Sequence, residues 1–293
     1  MFYYLLYGKK FISDIPLFNI PQSETPFSDP EVSIHSGIFE TENITSNKLG
    51  VQIGKDCSMV LFKFGAIRVI SGKEIVYTIK ENYTSEQITP FIAGWGLALL
   101  LTQMGHSAFH CSALVRNDQC FFVSGVSGAG KSTTSLELLK HGCRYLSDDI
   151  AIVNSCDDMM VPPSFPIQKL CPDVTLELNA SCLFEINNTR GKYSYLNTSD
   201  YCDSPEKLTT IFKLMTDDIP KVKIEEVTGL NKYLRVMECL FLEFPYALSS
   251  FPEEERFRCL KIAGNVRFYT IIRPKNQDTL QEISNVILKI LDE

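Results

Sequence analysis

The chain has 293 residues, a formal net charge of −7 at pH 7, 45% hydrophobic residues, 16 glycines and 14 prolines. This composition excludes a disordered or fibrous protein, and the length allows one large hydrophobic core or two smaller ones. Because a protein that binds a polyanion usually presents a basic surface, the negative charge argues against a nucleic-acid partner.

Ten cysteines are scattered along the chain without a C-x-x-C pair, and several lie inside apolar runs. This pattern is typical of reduced core residues in a reducing compartment rather than of disulfides or a zinc site. The first residues, Met1 to Tyr7, lack the basic leader and small-residue cleavage site of a signal peptide. A cytoplasmic protein is therefore expected.

Short alternating segments separated by turn residues fill the first part of the chain. They lie at 32–39, 50–53, 59–64, 66–70 and 74–79. This spacing predicts an antiparallel β meander, and Ser71-Gly72-Lys73 predicts a hairpin between the last two segments. We expect an N-terminal, mainly antiparallel β domain over residues 1–87 and an α/β domain over 88–293. The first domain is either a docking module for a partner or a cover for apolar surface of the second.

No Asp, Glu, Lys or Arg occurs between Gln87 and Arg116, but the strongly apolar part of this stretch is only Phe91 to Leu101. A membrane span needs about twenty apolar residues. The stretch therefore predicts a buried helix with Trp95 in the core, and no membrane partner is expected.

A phosphate-binding pattern, G-x-x-x-x-G-K-[ST], occupies residues 125–132. The run from Gln119 to Val123 predicts a strand before it, and leucines followed by Gly142 predict a helix over about 131–141 after it. Glycines let backbone amides point at phosphate oxygens, while Lys131 supplies positive charge and Ser132 a hydroxyl ligand for Mg²⁺. The predicted ATP-binding residues are Gly125, Val126, Ser127, Gly128, Ala129, Gly130, Lys131, Ser132 and Thr133.

Two adjacent carboxylates, Asp148 and Asp149, follow the short segment 143–146 and precede the apolar run 150–153. Adjacent side chains on an extended chain point to opposite faces. One carboxylate can then reach Mg²⁺ while the other faces an acceptor hydroxyl, which are two tasks of a kinase. The alternative interpretation of such a pair is a plain turn.

These segments, His110-Cys-Ser-Ala, the loop at 125–133 and the run from Gly142 to Asp149, together resemble the kinase core of HPr kinase/phosphorylase and its relatives. The relatives include serine kinases that phosphorylate ribosomally made peptides such as lasso-peptide precursors. Weaker resemblance continues at 165–173 and 269–274. The first ninety residues do not resemble the regulatory domain of true HPr kinases, which favours the peptide-tailoring branch.

The resemblance implies an α/β P-loop kinase core and assigns roles to three residues outside the loop. Asp148 would be the general base, Asp149 would join Ser132 as a metal-site residue, and His110 would lie at the edge of the site. From its apolar flanks alone, His110 is more typical of a hydrogen-bonded core residue than of a catalytic one.

Further along the chain, helices are predicted at 205–214, 230–240 and 280–291. Glu253-Glu254-Glu255 predicts the acidic first turn of another helix. Three basic residues are candidates for binding the phosphate or the acceptor. The alternative interpretation is that each is a solvated surface charge. These are Lys169, Arg267 and Arg273.

Two classes of function follow. The first is an ATP-dependent kinase that phosphorylates a serine or threonine of a peptide or small protein. The second is a non-kinase P-loop nucleotide switch or assembly ATPase, which needs a residue that orients water. The oligomeric state is left open, with a homo-oligomer among the states considered.

Overall fold

The computed structural model describes residues 1–17, 20–40, 50–154, 158–170, 182–185, 193–242 and 252–293. The strands are β1 (Phe2–Leu6), β2 (Lys9–Ser13), β3 (Val32–Ser36), β4 (Val51–Gln52), β5 (Cys57–Phe62), β6 (Gly65–Ile70), β7 (Glu74–Ile79), β8 (Ser107–Phe109), β9 (Cys111–Arg116), β10 (Gln119–Gly125), β11 (Arg144–Ser147), β12 (Ala151–Val153), β13 (Met160–Val161), β14 (Ile167–Leu170), β15 (Cys182–Glu185), β16 (Tyr193–Leu196), β17 (Glu206–Asp217), β18 (Lys223–Glu226) and β19 (Arg267–Pro274). The helices are α1 (Ser85–Phe91), a π-helical turn (Ile92–Gly96), α2 (Leu97–Gln103), α3 (Lys131–Lys140), α4 (Gly229–Met237), α5 (Glu253–Asn265) and α6 (Leu280–Leu291).

The N-terminal strands form one seven-stranded sheet in the order β1-β2-β3-β7-β6-β5-β4. The predicted hairpin between β6 and β7 is confirmed, and both Ser71 and Gly72 have the positive φ of a type I′ turn (51° and 64°). The predicted antiparallel meander is wrong at β3, which pairs in parallel with β2 and with β7. Alternating polarity identifies a strand but not its neighbours, so the parallel pairing was not visible in the sequence.

A continuous helical segment from α1 to α2 packs against this sheet. Pro90 lies inside α1 and cannot donate a backbone hydrogen bond, and the π-helical turn follows directly after α1. Ile92, Leu97 and Leu100 are fully buried in the core that includes Ile67 and Ile75 of the sheet. The predicted buried helix is thus confirmed, and in the parts of the chain that the structure describes no helix has the length and apolarity needed to cross a bilayer.

A second, mixed sheet forms the middle of the C-terminal part. Its strand order is β11-β9-β10-β17-β19-β18, with β13 also paired to β17. The central strands β10, β17 and β19 are parallel. Buried residues of α3 and α6 cover one face, and buried residues of α4 and α5 cover the other. The α/β architecture expected for this part is confirmed.

The helix predicted at 205–214 is wrong, because residues 206–217 form β17 in the centre of the second sheet. Pro205 and the leucines that follow it suggested a helix start. The run Thr209-Thr-Ile-Phe212 is β-branched and aromatic, and pairing with two parallel neighbours outweighs the helical propensity of the flanking residues. The helices predicted near 131–141, 230–240 and 280–291 and the acidic helix start at Glu253 are confirmed.

The domain boundary near residue 88 stays a prediction, and the core of the N-terminal sheet extends beyond it. Ile150, Ile152 and Phe165 pack in the same cluster as the N-terminal sheet. The buried Tyr7 hydroxyl also donates a hydrogen bond to the carbonyl oxygen of Ile150 at 3.0 Å. The free cysteines among the described residues are buried apart from Cys57, which agrees with reduced core residues.

Deleting residues 1–86 is expected to produce an aggregated protein, because the helical segment and the strands after β11 would lose the cover of their apolar side chains. Gel filtration of the truncated protein measures this. Co-expression of residues 1–86 as a separate chain should restore some soluble protein, while a monodisperse truncation with cooperative unfolding would contradict the shared core.

Candidate phosphate-binding site

A glycine-rich loop joins the end of β10 to the start of α3. Gly125, Gly128 and Gly130 all have positive φ (151°, 89° and 102°). At Gly125 a Cβ atom would lie only 2.6 Å from the carbonyl oxygen of Leu214 on the neighbouring strand. Helix α3 begins at Lys131, so its first amide groups and the positive end of its dipole face the loop.

The Lys131 side chain lies across the mouth of the loop. Its Nζ donates to the carbonyl oxygen of Gly125 at 2.6 Å and lies 3.2 Å from Nε2 of His110. His110 Nδ1 is in turn 3.0 Å from the carbonyl oxygen of Asp149. These two contacts assign the ring proton to Nδ1, which donates to Asp149, and leave Nε2 as the acceptor for Lys131.

Asp148 is held by two hydrogen bonds from other elements. Its Oδ1 accepts from the Ser112 hydroxyl at 3.0 Å, and its Oδ2 accepts from the backbone amide of Lys169 at 2.8 Å. The carboxylate is therefore fixed in orientation. Ser112 was not among the sequence-predicted residues, although it lies two positions after His110, a spacing that brings strand side chains to one face.

Asp149 does not continue an extended chain. Its φ is +75°, a left-handed value that is uncommon for a residue other than glycine and that clusters at functional sites. The extended-chain interpretation of the Asp pair is therefore wrong, since both carboxylates line one pocket instead of opposite faces. Asp149 Oδ2 forms an ion pair with Lys169 Nζ at 2.7 Å, and its Oδ1 lies 3.5 Å from His110 Nδ1.

The protonation of two neighbours follows from burial and charge. Burial lowers the pKa of the His110 imidazole and outweighs the opposing effect of Asp149, so the ring is neutral at neutral pH. Burial also lowers the pKa of the Lys169 amine, but the charge of Asp149 and its hydrogen bond outweigh burial and raise that pKa above its usual value. Lys169 is therefore a cation next to the carboxylates.

The structure separates the two candidate arginines at opposite ends of β19. Arg273 lies at the loop, with Nη1 3.5 Å from the position that a Cβ on Gly130 would occupy. Its Nε is buried without a hydrogen-bond partner among the described residues. Arg267 instead donates to the carbonyl oxygen of Ile290 at 3.0 Å, at the end of α6. Lys169 and Arg273 are thus brought to the site and Arg267 is not.

One cavity of about 240 Å³ unites these separate chain segments. Its lining consists of loop and helix residues together with the side chains described above. The lining residues are His110, Ser127, Gly128, Gly130, Lys131, Ser132, Thr133, Asp148, Asp149 and Lys169. Of the other predicted loop residues, Ala129 is buried beneath the loop, and Gly125 and Val126 line a second, adjacent cavity.

The residues of this cavity fit a nucleotide and Mg²⁺. In the described parts of the chain no three His, Cys, Asp or Glu residues come together as a ready metal cage. Mg²⁺ at nucleotide sites takes most of its ligands from phosphates and water and only one or two from protein. The Ser132 hydroxyl and the Asp149 carboxylate supply oxygen ligands in the same cavity, and the Lys131 and Lys169 amines supply positive charge suited to phosphate.

Comparison with known proteins gives a distant likeness among solved structures and none among family models or curated proteins. The sequence matches no protein-family model and no curated protein. Among solved structures, the chain is similar to the HPr(Ser) kinase/phosphatase from Coxiella burnetii, with 11% identity, 62% of this chain and 94% of that chain covered, and a TM-score of 0.31. A likeness this distant carries no argument about function.

Replacing Gly125 with Ala is expected to lower the free energy of unfolding by about 1–3 kcal/mol, because the new methyl group would push the Leu214 carbonyl away and strain the backbone. Gly128→Ala is the matched control: it has positive φ but no atom within 4 Å of the added Cβ. Urea denaturation compares the two. Equal losses would show that the close approach of β10 and β17 is not the cause.

Proposed function

We propose that this chain is an ATP-dependent kinase that transfers the γ-phosphoryl group to a serine or threonine hydroxyl of a peptide or small protein. The observation that carries the proposal is the meeting of a complete G-x-x-x-x-G-K-S loop with two carboxylates and Lys169 around one cavity. Phosphoryl transfer requires a phosphate cradle, charge neutralisation and a group that accepts the hydroxyl proton. The residues of this cavity can supply all three.

The nucleotide would lie along the loop. Backbone amides of the loop and the start of α3 would bind the phosphates, while Lys131, Lys169 and Arg273 would balance their charge. Ser132 and Asp149 would hold Mg²⁺, which neutralises charge that develops on the phosphate oxygens. Arg273 would contribute its charge from beside the loop, since its guanidinium lies next to Gly130.

Asp148 would act as the general base. Two hydrogen bonds already orient its carboxylate, and each carboxylate oxygen keeps a further lone pair for a substrate hydroxyl. The acceptor oxygen forms a bond to the γ-phosphorus, the bond from that phosphorus to the bridging oxygen breaks, and ADP leaves with the electron pair. The hydroxyl proton passes to Asp148.

The class of acceptor rests on the sequence resemblance to serine kinases that modify peptides. A peptide presents its serine or threonine on a flexible chain, so its hydroxyl can enter a cavity between loops and strands. A non-kinase switch or assembly ATPase is the competing function. It would release phosphate to water at the same rate with or without any acceptor, which a phosphate-release assay distinguishes from transfer.

Lys131→Ala is expected to abolish measurable Mg-ATP binding or to weaken it at least tenfold, because the phosphates would lose a direct counter-charge. Isothermal titration calorimetry of Mg-ATP into both proteins measures the change. Lys140→Ala, at the exposed other end of the same helix, is the control and should bind as the wild type does. Wild-type affinity in Lys131→Ala would disprove the nucleotide assignment.

Replacing each carboxylate separately tests the two roles. Asp148→Asn should leave Mg-ATP affinity nearly unchanged and slow transfer by about 10²-fold or more, the usual contribution of a general base. Asp149→Asn should also raise the Mg²⁺ concentration needed for half-maximal activity.

The two variants are compared by transfer of labelled phosphate at increasing Mg²⁺ concentration. Transfer at the wild-type rate by Asp148→Asn would show that another group accepts the proton. An unchanged Mg²⁺ dependence in Asp149→Asn would remove that residue from the metal site.

A further inference from the structure

A second cavity, of about 590 Å³, adjoins the phosphate-binding cavity. His110 lines both cavities and therefore forms part of the wall between them. The second cavity lies at the end of β10 and is bordered by β17, by the end of α4 and by two aromatic rings. The aromatic and charged side chains among its lining include Trp95, Lys213, Arg235, Glu238 and Phe241.

The position of Lys131 relates this second cavity to the place that the terminal phosphate of a bound nucleotide would take. In loops of this type the lysine reaches the β- and γ-phosphates. Lys131 Nζ contacts the carbonyl oxygens of Gly125 and Val126 and the ring of His110. These three contact residues all line the second cavity. A group bound in that cavity thus lies on the side from which an acceptor hydroxyl would approach the γ-phosphorus.

Among the described residues that line the cavity, the charged side chains form a cluster with an excess of one positive charge. Lys213 lies on β17 with only 8% of its surface exposed, and its amine forms an ion pair with Glu238. Arg235 also donates to Glu238, at 2.8 Å. Burial alone would raise the pKa of the Glu238 carboxyl, but the hydrogen bonds and charges of the two cations lower it, so the acid is ionised. Two cations therefore share one carboxylate, and a second carboxylate from a ligand would balance the cluster.

An aromatic wall faces the cavity. The π-helical turn carries Trp95, and its ring meets the Phe241 ring edge-to-face at 5.4 Å. The Phe241 ring in turn lies 5.8 Å from the His110 ring. Turns of this kind are rare and often occur at functional sites. The interpretation of Trp95 as a plain core residue is thus incomplete, because it packs on the core but is only half-buried and lines a cavity.

We propose that the second cavity is the acceptor site and that it selects a hydroxyl compound that carries a carboxylate close to the hydroxyl. The proposal rests on the proposed kinase function. The carboxylate would bind Arg235 and Lys213, apolar parts of the acceptor would pack on Trp95 and Phe241, and the hydroxyl would extend past His110 to the terminal phosphate. Such a carboxylate can come from an acidic residue next to a serine in a peptide or from a free hydroxy amino acid.

Binding can be tested without any transfer reaction. Trp95 is the single tryptophan of the chain, so intrinsic fluorescence reports directly on the cavity. The probes are heptapeptides with a central serine flanked by Glu, Ala or Lys, and free L-serine beside its methyl ester. We expect a saturable fluorescence change with the Glu-flanked peptide or with free L-serine, and at least tenfold weaker binding of the matched probe that lacks the carboxylate.

Variants at Arg235 locate the carboxylate. Arg235→Gln makes the cluster neutral and should reduce the preference for carboxylate probes at least tenfold, while Arg235→Lys should retain most of it. Arg256→Gln is the matched control, since Arg256 is exposed on α5 and does not line the cavity. Thermal unfolding of each variant establishes that the comparison is between folded proteins.

The outcomes separate this proposal from the kinase assignment. Carboxylate-selective quenching without phosphate transfer would support the cavity and refute the kinase. Transfer to serine with no preference among the probes would support the kinase and overturn the proposed selectivity. The selectivity is also overturned if no probe changes the fluorescence, or if Arg235→Gln alters only the KM for ATP, which would assign the cluster to the nucleotide. Which of the two probe types binds identifies the source of the carboxylate.

Discussion

Backbone pairing in the second sheet holds Cys111, Ser124 and Lys213 in one row across β9, β10 and β17. His110 lies immediately before β9, the glycine-rich loop begins where β10 ends, and Lys213 belongs to the third strand. The row therefore places the shared histidine, the start of the loop and the buried cation side by side on neighbouring strands. A slip of one residue would turn each side chain to the opposite face, so the whole arrangement depends on this register.

The ion pairs near this row of residues contribute too little to the free energy of unfolding to explain their presence. Lys169 and Asp149 are 22% and 29% exposed as side chains, and partly exposed ion pairs contribute little to the free energy of unfolding. Lys213 is more deeply buried, where removal from water offsets much of the attraction to Glu238. The left-handed backbone at Asp149 adds strain. These costs are understandable if the groups are held for ligands, as the proposed function requires.

Local patterns in the sequence predicted the parts of the site that are contiguous in the chain. The loop, its flanking strand and helix, and the proximity of Asp148 and Asp149 to the loop all follow from residue type and spacing. The prediction of a helix at 205–214 is wrong, because residues 206–217 form a strand. The sequence analysis therefore does not predict that Lys213 lies beside the loop. Ser112 and Arg235 join the site only through strand pairing and helix packing, which no short window of sequence specifies. The partner of Asp149 is likewise distant in sequence, since its carboxylate accepts from Lys169, twenty positions away.

The Lys131 ammonium group connects the two cavities, because it can donate only a small number of hydrogen bonds and its contact residues line the second cavity. An ammonium group has three N–H bonds, and the carbonyls of Gly125 and Val126 and the ring of His110 are three acceptors around it. Contact with a phosphate would replace at least one of these interactions. Loss of the His110 contact would leave Nε2 as an acceptor at the boundary of the second cavity, beside the Phe241 ring. Occupation of the phosphate-binding cavity would then change the hydrogen-bonding surface that an acceptor meets.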